Sequence, residues 1–473
     1  MFKGIGIWRK LTAAAAMVVL LVGCSTYEGE FVPKTEEQLA QMEVKNDEAH
    51  AAFLAQNYSE AEKKLKELSQ ERTVSLPLYQ MEMISLLLMQ GRNDEAHAMM
   101  EALHQDIETL FDEKMADKAL SVWHGEVNKV FKGDAYERAT FYAMMALSYL
   151  RQKNYDDAIR SVKNGLLADA DSNNPDAIGD YPLLYYIGYL ASKKKNDQGE
   201  AAEYWRFLVE SLAMRGIRLY DQNGKALLDK NCFEHWQKRN PNVLLIVWSG
   251  LPPTVLCGGE YKHIRSIIRG ANPFHAVNVS VNNADWGFLP NNLGDVEYQA
   301  ITRGGRLMDN VLNDKATAKK TMEVTRNVMF VAGSLLIVAG SRSMGAMPLG
   351  LSLMGAGVGC YVVGGTAWII GNMMNPAADA RYWRNLPGQF YIVPLELPAG
   401  KHTVRLTGYR YSDQVFNADF PVEVTDAQAM QVLHLPMMTS GGDFIAAARG
   451  KLDEERINAI SKASYQRMSK ELK

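Results

Sequence analysis

The stretch Asn327–Asn375 reads NVMFVAGSLLIVAGSRSMGAMPLGLSLMGAGVGCYVVGGTAWIIGNMMN. Between Arg326 and Asp379 the chain carries one charge, Arg342, beside the turn-like run Ser343–Pro348. The pattern predicts two apolar helical arms joined by a turn. The first arm, Asn327–Ser341, has 15 uncharged residues, short of the roughly 20 that cross hydrocarbon; the second, Met347–Gly371, has 25. Gly350, Gly355, Gly359 and Gly364 form a candidate helix-packing face, because small residues let helix backbones approach closely. Three destinations are open to this hairpin: contact with or insertion into a membrane, burial between subunits, or burial within the monomer.

Working outward, the hairpin interrupts a strand-rich region. Before it, Asn242–Trp248 (NVLLIVW) is a short apolar strand-type run, and Ala276–Val281 (AVNVSV) alternates and breaks at Asn282-Asn283. The segment from Asp295 to Lys320 is charged and reads as helical. After the hairpin, Phe390–Leu397, His402–Leu406 and Met430–Leu435 read as strands, with Leu397-Pro398-Ala399-Gly400-Lys401 as a turn. The expected class is therefore α+β: an N-terminal helical solenoid, then a small β-sandwich interrupted by a helical, Gly-rich apolar hairpin. A long insertion is tolerable because loop-closure entropy grows only logarithmically with length.

Residues 36–215 carry helical periodicity and resemble tetratricopeptide repeats. The clearest copy is Tyr142–Leu166, YAMMALSYLRQKNYDDAIRSVKNGL, where Ala146, Tyr149, Tyr155 and Ala158 hold the small, aromatic, aromatic and small positions. Ala49, Tyr58 and Ala61 mark an earlier copy. Ala96, after Gly91-Arg92-Asn93-Asp94, marks a weaker one, and Pro182–Leu212 a fourth pair. Such an array offers either a partner groove or a surface packed against the rest of the chain. His97 and His104 lie seven residues apart on one helix face and read as a surface pair.

The chain has 473 residues and a net charge of -3, so it is long enough for two or three domains, and no basic surplus points to nucleic acid. Of four cysteines, Cys232 and Cys257 are candidates for pairing in an oxidising compartment. No G-x-S-x-G elbow, P-loop, HExxH or CxxC pair occurs, and Gly355-Ala356-Gly357-Val358-Gly359 lacks the dinucleotide-binding spacing. The chain is therefore expected to be no enzyme, with no cofactor and no metal.

The N-terminus resembles a bacterial lipoprotein signal. Lys3, Arg9 and Lys10 precede the apolar run Leu11–Val22, and Leu21-Val22-Gly23-Cys24 resembles a lipobox. The resemblance implies cleavage before Cys24 and acylation of that residue. Ser25, rather than Asp, implies sorting to the outer membrane on its periplasmic face. The reading is then a signal at 1–23, a tether at 24–35, helical repeats at 36–215, β-domain parts at 240–294 and 379–440, the insertion at 295–378 and a terminal helix at 441–473.

A second resemblance rests on Asp379, Arg381, Trp383, Leu386 and Pro387, followed by Leu397, Pro398, Gly400 and His402. These match the D-x-R-x-W-x-x-L-P and L-P-x-G-x-H patterns of a family of uncharacterised TPR-containing bacterial lipoproteins. The strands after Phe390 resemble PEGA-like envelope modules. The resemblance implies a non-enzymatic scaffold, with the membrane and envelope proteins as partners and a homo-oligomer as an option. A pore or export assembly using the hairpin is the alternative, an envelope enzyme the third. Asp379, Arg381 and Trp383 are read as a structural clasp or ligand contact, with the guanidinium stacking on the indole and the segment pinning the hairpin's exit to the sheet.

Overall fold

The computed structural model describes residues 32, 34–111, 129–170, 180–214, 240–258, 260, 263–268, 270, 274, 276–289, 293–302, 320, 379–410, 413–425 and 430–437. Cys24, Cys232 and the apolar stretch 327–375, with Gly350, Gly355, Gly359 and Gly364, lie outside them.

Among the described residues, eight helices form four antiparallel pairs: α1 (Glu36–Leu54) with α2 (Tyr58–Leu68), α3 (Leu76–Met89) with α4 (Asn93–Phe111), α5 (Ala135–Arg151) with α6 (Tyr155–Asp169), and α7 (Pro182–Lys194) with α8 (Gln198–Met214). One turn recurs in all four. A left-handed residue ends the first helix: Gln56 at φ 58°, Gly91 at 72°, Lys153 at 62° and Asn196 at 65°. The next amide then bonds five residues back, Asn57 to Ala52, Arg92 to Leu87, Asn154 to Tyr149 and Asp197 to Ser192, at 2.9–3.0 Å. This closes the last carbonyls of the first helix. In three pairs the same residue caps the second helix: Asn57, Asn154 and Asp197 each accept an amide three residues on.

Ala49, Ala61, Ala96, Ala146 and Ala158 are fully buried, as expected where helices cross closely. Ala158→Leu is therefore expected to overpack the α5–α6 crossing and cost about 1–3 kcal/mol, read as a lower denaturation midpoint with an unchanged slope.

The strands are β1 (Val243–Ser249), β2 (Thr254–Gly258), β3 (Ile264–Ile268), β4 (Ala276–Val281), β5 (Ala284–Leu289), β6 (Gly294–Asp295), β7 (Gln389–Leu395), β8 (Gly400–Arg410), β9 (Asp413–Val424) and β10 (Gln431–Met437). The short helix α9 (Val296–Thr302) follows β6. One sheet has the order β10-β1-β7-β6, a second β5-β4-β8-β9, and β2-β3 is a separate ribbon. β1 runs parallel to β10 and antiparallel to β7. Asn282 and Asn283, at φ 51° and 65°, make the two-residue turn between β4 and β5, the conformation whose twist suits a hairpin.

β1 is buried on both faces, and its period of two divides the core. Leu244, Ile246 and Trp248 join the helical core with Phe390, Ile392 and Val432. Val243, Leu245 and Val247 instead join Tyr391, Val393 and Leu395 against Val277, Val279, Val404 and Leu406 of the second sheet. The molecule is thus α+β in three layers, helices on one sheet and that sheet on another. The strands β2, β3, β5 and β6 lie outside the strands expected from the sequence. The long β9 also lies outside the expected strands, because its exposed residues alternate with Val422 and Val424.

Candidate functional site

The segment from Asp379 to Pro387 leaves the undescribed insertion and enters β7 as an extended strap. It lies across α1, α3 and α5, the first helices of the first three pairs. Its grip begins at Arg381. All five guanidinium N–H donors are used: Nε and one terminal nitrogen on the Asp379 carboxylate at 2.9 and 2.8 Å, and the others on the Val74 carbonyl at 3.3 Å, Ser75 Oγ at 3.0 Å and the Lys129 carbonyl at 2.8 Å. Asp379 also accepts the Arg381 amide at 2.9 Å. Both side chains are buried, so the charges are paired where water does not reach.

Arg381 does not stack on Trp383. Its guanidinium lies over the Phe131 ring, 5.5 Å from the centroid, because the carbonyls that its donors need sit at Val74 and Lys129. Trp383 fills a slot of its own, fully buried, and its indole donates to Ser85 Oγ at 3.0 Å. Nor does the clasp pin the chain to the sheet, as expected from the sequence. Its partners lie in the loops that lead into α3 and α5 and on those helices, with one bond among the described residues to the ribbon, from Arg265 Nε to the Asp379 carbonyl at 3.2 Å. Arg265 also ion-pairs with Asp134 in a buried position.

Three successive strap amides are taken by two buried glutamates. Trp383 N–H donates to Glu137 Oε1 at 2.5 Å, and Arg384 N–H and Asn385 N–H donate to the two oxygens of Glu82, each at 2.8 Å. The other Glu137 oxygen accepts the Asp134 amide at 2.6 Å as the capping box of α5. Burial pushes Glu82 up to about 7, against the pull of Arg384. Burial, with the Asp134 charge beside it, pushes Glu137 up to about 8. Asn385 Oδ1 accepts from His50 Nδ1 at 2.8 Å, which places the ring proton on Nδ1. At the rim, Arg384 pairs with Glu43 and with Asp47 at 3.6 Å.

These groove residues escape sequence reasoning to different degrees. Glu82 is the single charge in the run Leu76–Met89, and a lone carboxylate in an apolar helix signals a buried polar partner. Glu137 has no such signal, since Asp134-x-x-Glu137 reads as an ordinary cap.

Ala146 in α5 and Ala158 in α6 are fully buried, and Tyr149 and Tyr155 pack on the helical core. His97 and His104 are no surface pair. The His97 ring meets Tyr149 edge-on at 5.0 Å, and His104 Nδ1 meets the Tyr142 hydroxyl at 3.2 Å, both facing α5. Burial lowers the pKa of His97. The polar turn before β8 is also a structural latch. Asn242 donates to the Leu397 carbonyl at 2.7 Å and accepts its amide at 2.9 Å, while His402 Nε2 donates to the Pro398 carbonyl at 2.9 Å. Among the described residues no metal-holding cluster occurs and no helix is long and apolar enough to cross a membrane.

Fold and strap together define an α+β protein whose helical array encloses a segment of its own chain. No family model, no curated protein and no solved structure matches this chain.

Proposed function

We propose that this is a non-enzymatic lipoprotein, anchored by lipid on Cys24 to the periplasmic face of the outer membrane, that serves as a mount and protein-binding scaffold for its apolar insertion. In this reading the helical pairs are TPR-like repeats, the two packed sheets a PEGA-like β-sandwich, and the chain a member of the D-x-R-x-W-x-x-L-P lipoprotein family. One observation carries it. The first residues of the insertion, in α9, and the segment that follows it are both held by the helical array. On the near side, Tyr298 and Gln299 of α9 reach the buried Asp180 at 3.3 and 3.5 Å. On the far side, the strap is gripped from Asp379 onward. A body built to fix both ends of an apolar segment presents that segment to something else, whether membrane, envelope protein or second copy. The second reading, an oligomeric pore or export assembly, uses the same mount and differs only in what the hairpins of several copies do.

Deleting Val328–Gly371 tests this directly. The deletion variant should keep the far-ultraviolet circular dichroism and cooperative melting of the parent, and Cys24→Ser should move the protein from the membrane to the soluble fraction. Retention of the Cys24→Ser protein in the membrane would shift anchoring to the hairpin. Loss of a discrete oligomer or of liposome leakage on deletion would favour the assembly reading. Loss of the fold itself would refute the mount.

A further inference from the structure

The helical array has two edges, and the first helix of each pair begins at the same one. Val32, ahead of α1, donates its amide to the Arg72 carbonyl ahead of α3 at 2.8 Å. Phe131, ahead of α5, donates to the Val74 carbonyl at 2.8 Å, and Thr140 in α5 meets the hydroxyl of Tyr181 ahead of α7 at 3.2 Å. The left-handed turns at Gln56, Gly91, Lys153 and Asn196 lie at the other edge. First helices of 13–19 residues set the two edges about 20–28 Å apart.

Three chain segments converge on the first edge. The N-terminal segment enters there, held by the bond from Val32 to Arg72 and by the ion pair of Lys34 with Glu71. The strap comes out of the insertion there, since Arg381 bonds the Val74 carbonyl, Ser75 Oγ and the Lys129 carbonyl. At the start of the insertion, Tyr298 and Gln299 of α9 donate to Asp180, the residue before Tyr181. Cys24 stands eight positions before Val32, so a lipid on it lies within about 28 Å of this edge even with the chain fully extended.

Charge separates the two edges in the same sense. In the joints 69–75 and 129–134, Arg72, Lys129 and Lys132 reach the surface against Glu71. At the turn edge, Arg92 is taken up by Glu62 and Glu95, Arg151 by Asp94 and Lys195 by Asp156. A basic edge is drawn to anionic headgroups more than a neutralised one.

We propose that the edge formed by these joints faces a lipid bilayer, with the array standing on it and the turn edge pointing away. The lipid on Cys24 and both ends of the insertion are then delivered to one surface. This rests on the reading of Cys24 as a lipidated residue, and it selects the membrane, over an envelope protein or a second copy, as the partner of this edge.

The test uses the full chain on vesicles of phosphatidylethanolamine and phosphatidylglycerol that carry a rhodamine lipid. A fluorescent non-natural residue replaces Gln70 at the joint edge or Gln152 at the turn edge, both exposed. Energy transfer to the vesicle should be at least about threefold greater from position 70, because a helix length separates the two positions. A second arm makes the result independent of lipidation: Cys24→Ser, with a histidine tag placed beside it, is held on a nickel-chelating lipid. A parent protein that leaves the vesicles, while the nickel-held variant keeps the preference for position 70, would refute the lipid on Cys24 and support the orientation. Equal transfer from the two positions of the nickel-held variant, or more from position 152, overturns the proposal and leaves this edge to a protein partner.

Discussion

Arg381→Ala is expected to be among the most destabilising single substitutions in the described part of the chain. The change removes five hydrogen bonds at once and leaves the Asp379 carboxylate buried without its counter-ion. Breaking a buried pair from one side costs about 3–5 kcal/mol, a large fraction of the stability of an ordinary domain. Arg381→Lys should recover only part, because an ammonium cannot span the fork of acceptors that the planar guanidinium reaches. Asp379→Ala/Arg381→Ala should cost less than the sum of the two single variants, since neither charge is then stranded. Urea melts of the four proteins close this double-mutant cycle. An additive result would mean that the strap is held by Trp383 and the amides alone.

Glu82 gives the second large effect, and it carries a pH signature. Glu82→Ala removes the acceptors of two strap amides and of nothing else in that helix, for a loss of about 2–5 kcal/mol. Glu82→Gln should rescue little. Its amide group can accept from one strap N–H but turns a donor toward the other. For the parent, the folded values of Glu82 and Glu137, about 7 and about 8, lie above the ordinary carboxyl value of the unfolded chain. The folded state therefore holds more protons than the unfolded state between about pH 4.5 and 8. Stability must fall as pH rises through that window, and for Glu82 alone the move from 4.5 to about 7 corresponds to about 3 kcal/mol. The melting temperature is expected to be higher at pH 5.5 than at pH 8, with a shallower slope in Glu82→Gln. A flat or rising profile would mean that both carboxyls stay ionised and grip the strap by charge.

The α+β class was legible because its signals are local. Tyr155 and Ala158 in α6, and the turn residues Asn57, Asn154 and Asp197, sit at spacings fixed by one helix pair. Asn282-Asn283 fixes its hairpin by backbone conformation alone. The clasp residues Asp379, Arg381 and Trp383 were equally visible as a cluster, but their partners were not. Val74, Ser75, Glu82 and Ser85 lie some 300 positions earlier in the chain, and nothing in the spacing of the strap points to them. The same holds for β1, whose neighbours on both sides, β7 and β10, come after the insertion. By itself the sequence determined the helical character of 36–215 and the strands β1, β4, β7, β8 and β10, since propensity, caps and periodicity act within about a dozen residues. Only the tertiary structure decided that the groove of the helices is filled by the chain's own strap. That choice is set by burial: Glu82 and Glu137 need amide partners once desolvated, and the strap alone among the described segments supplies three in a row.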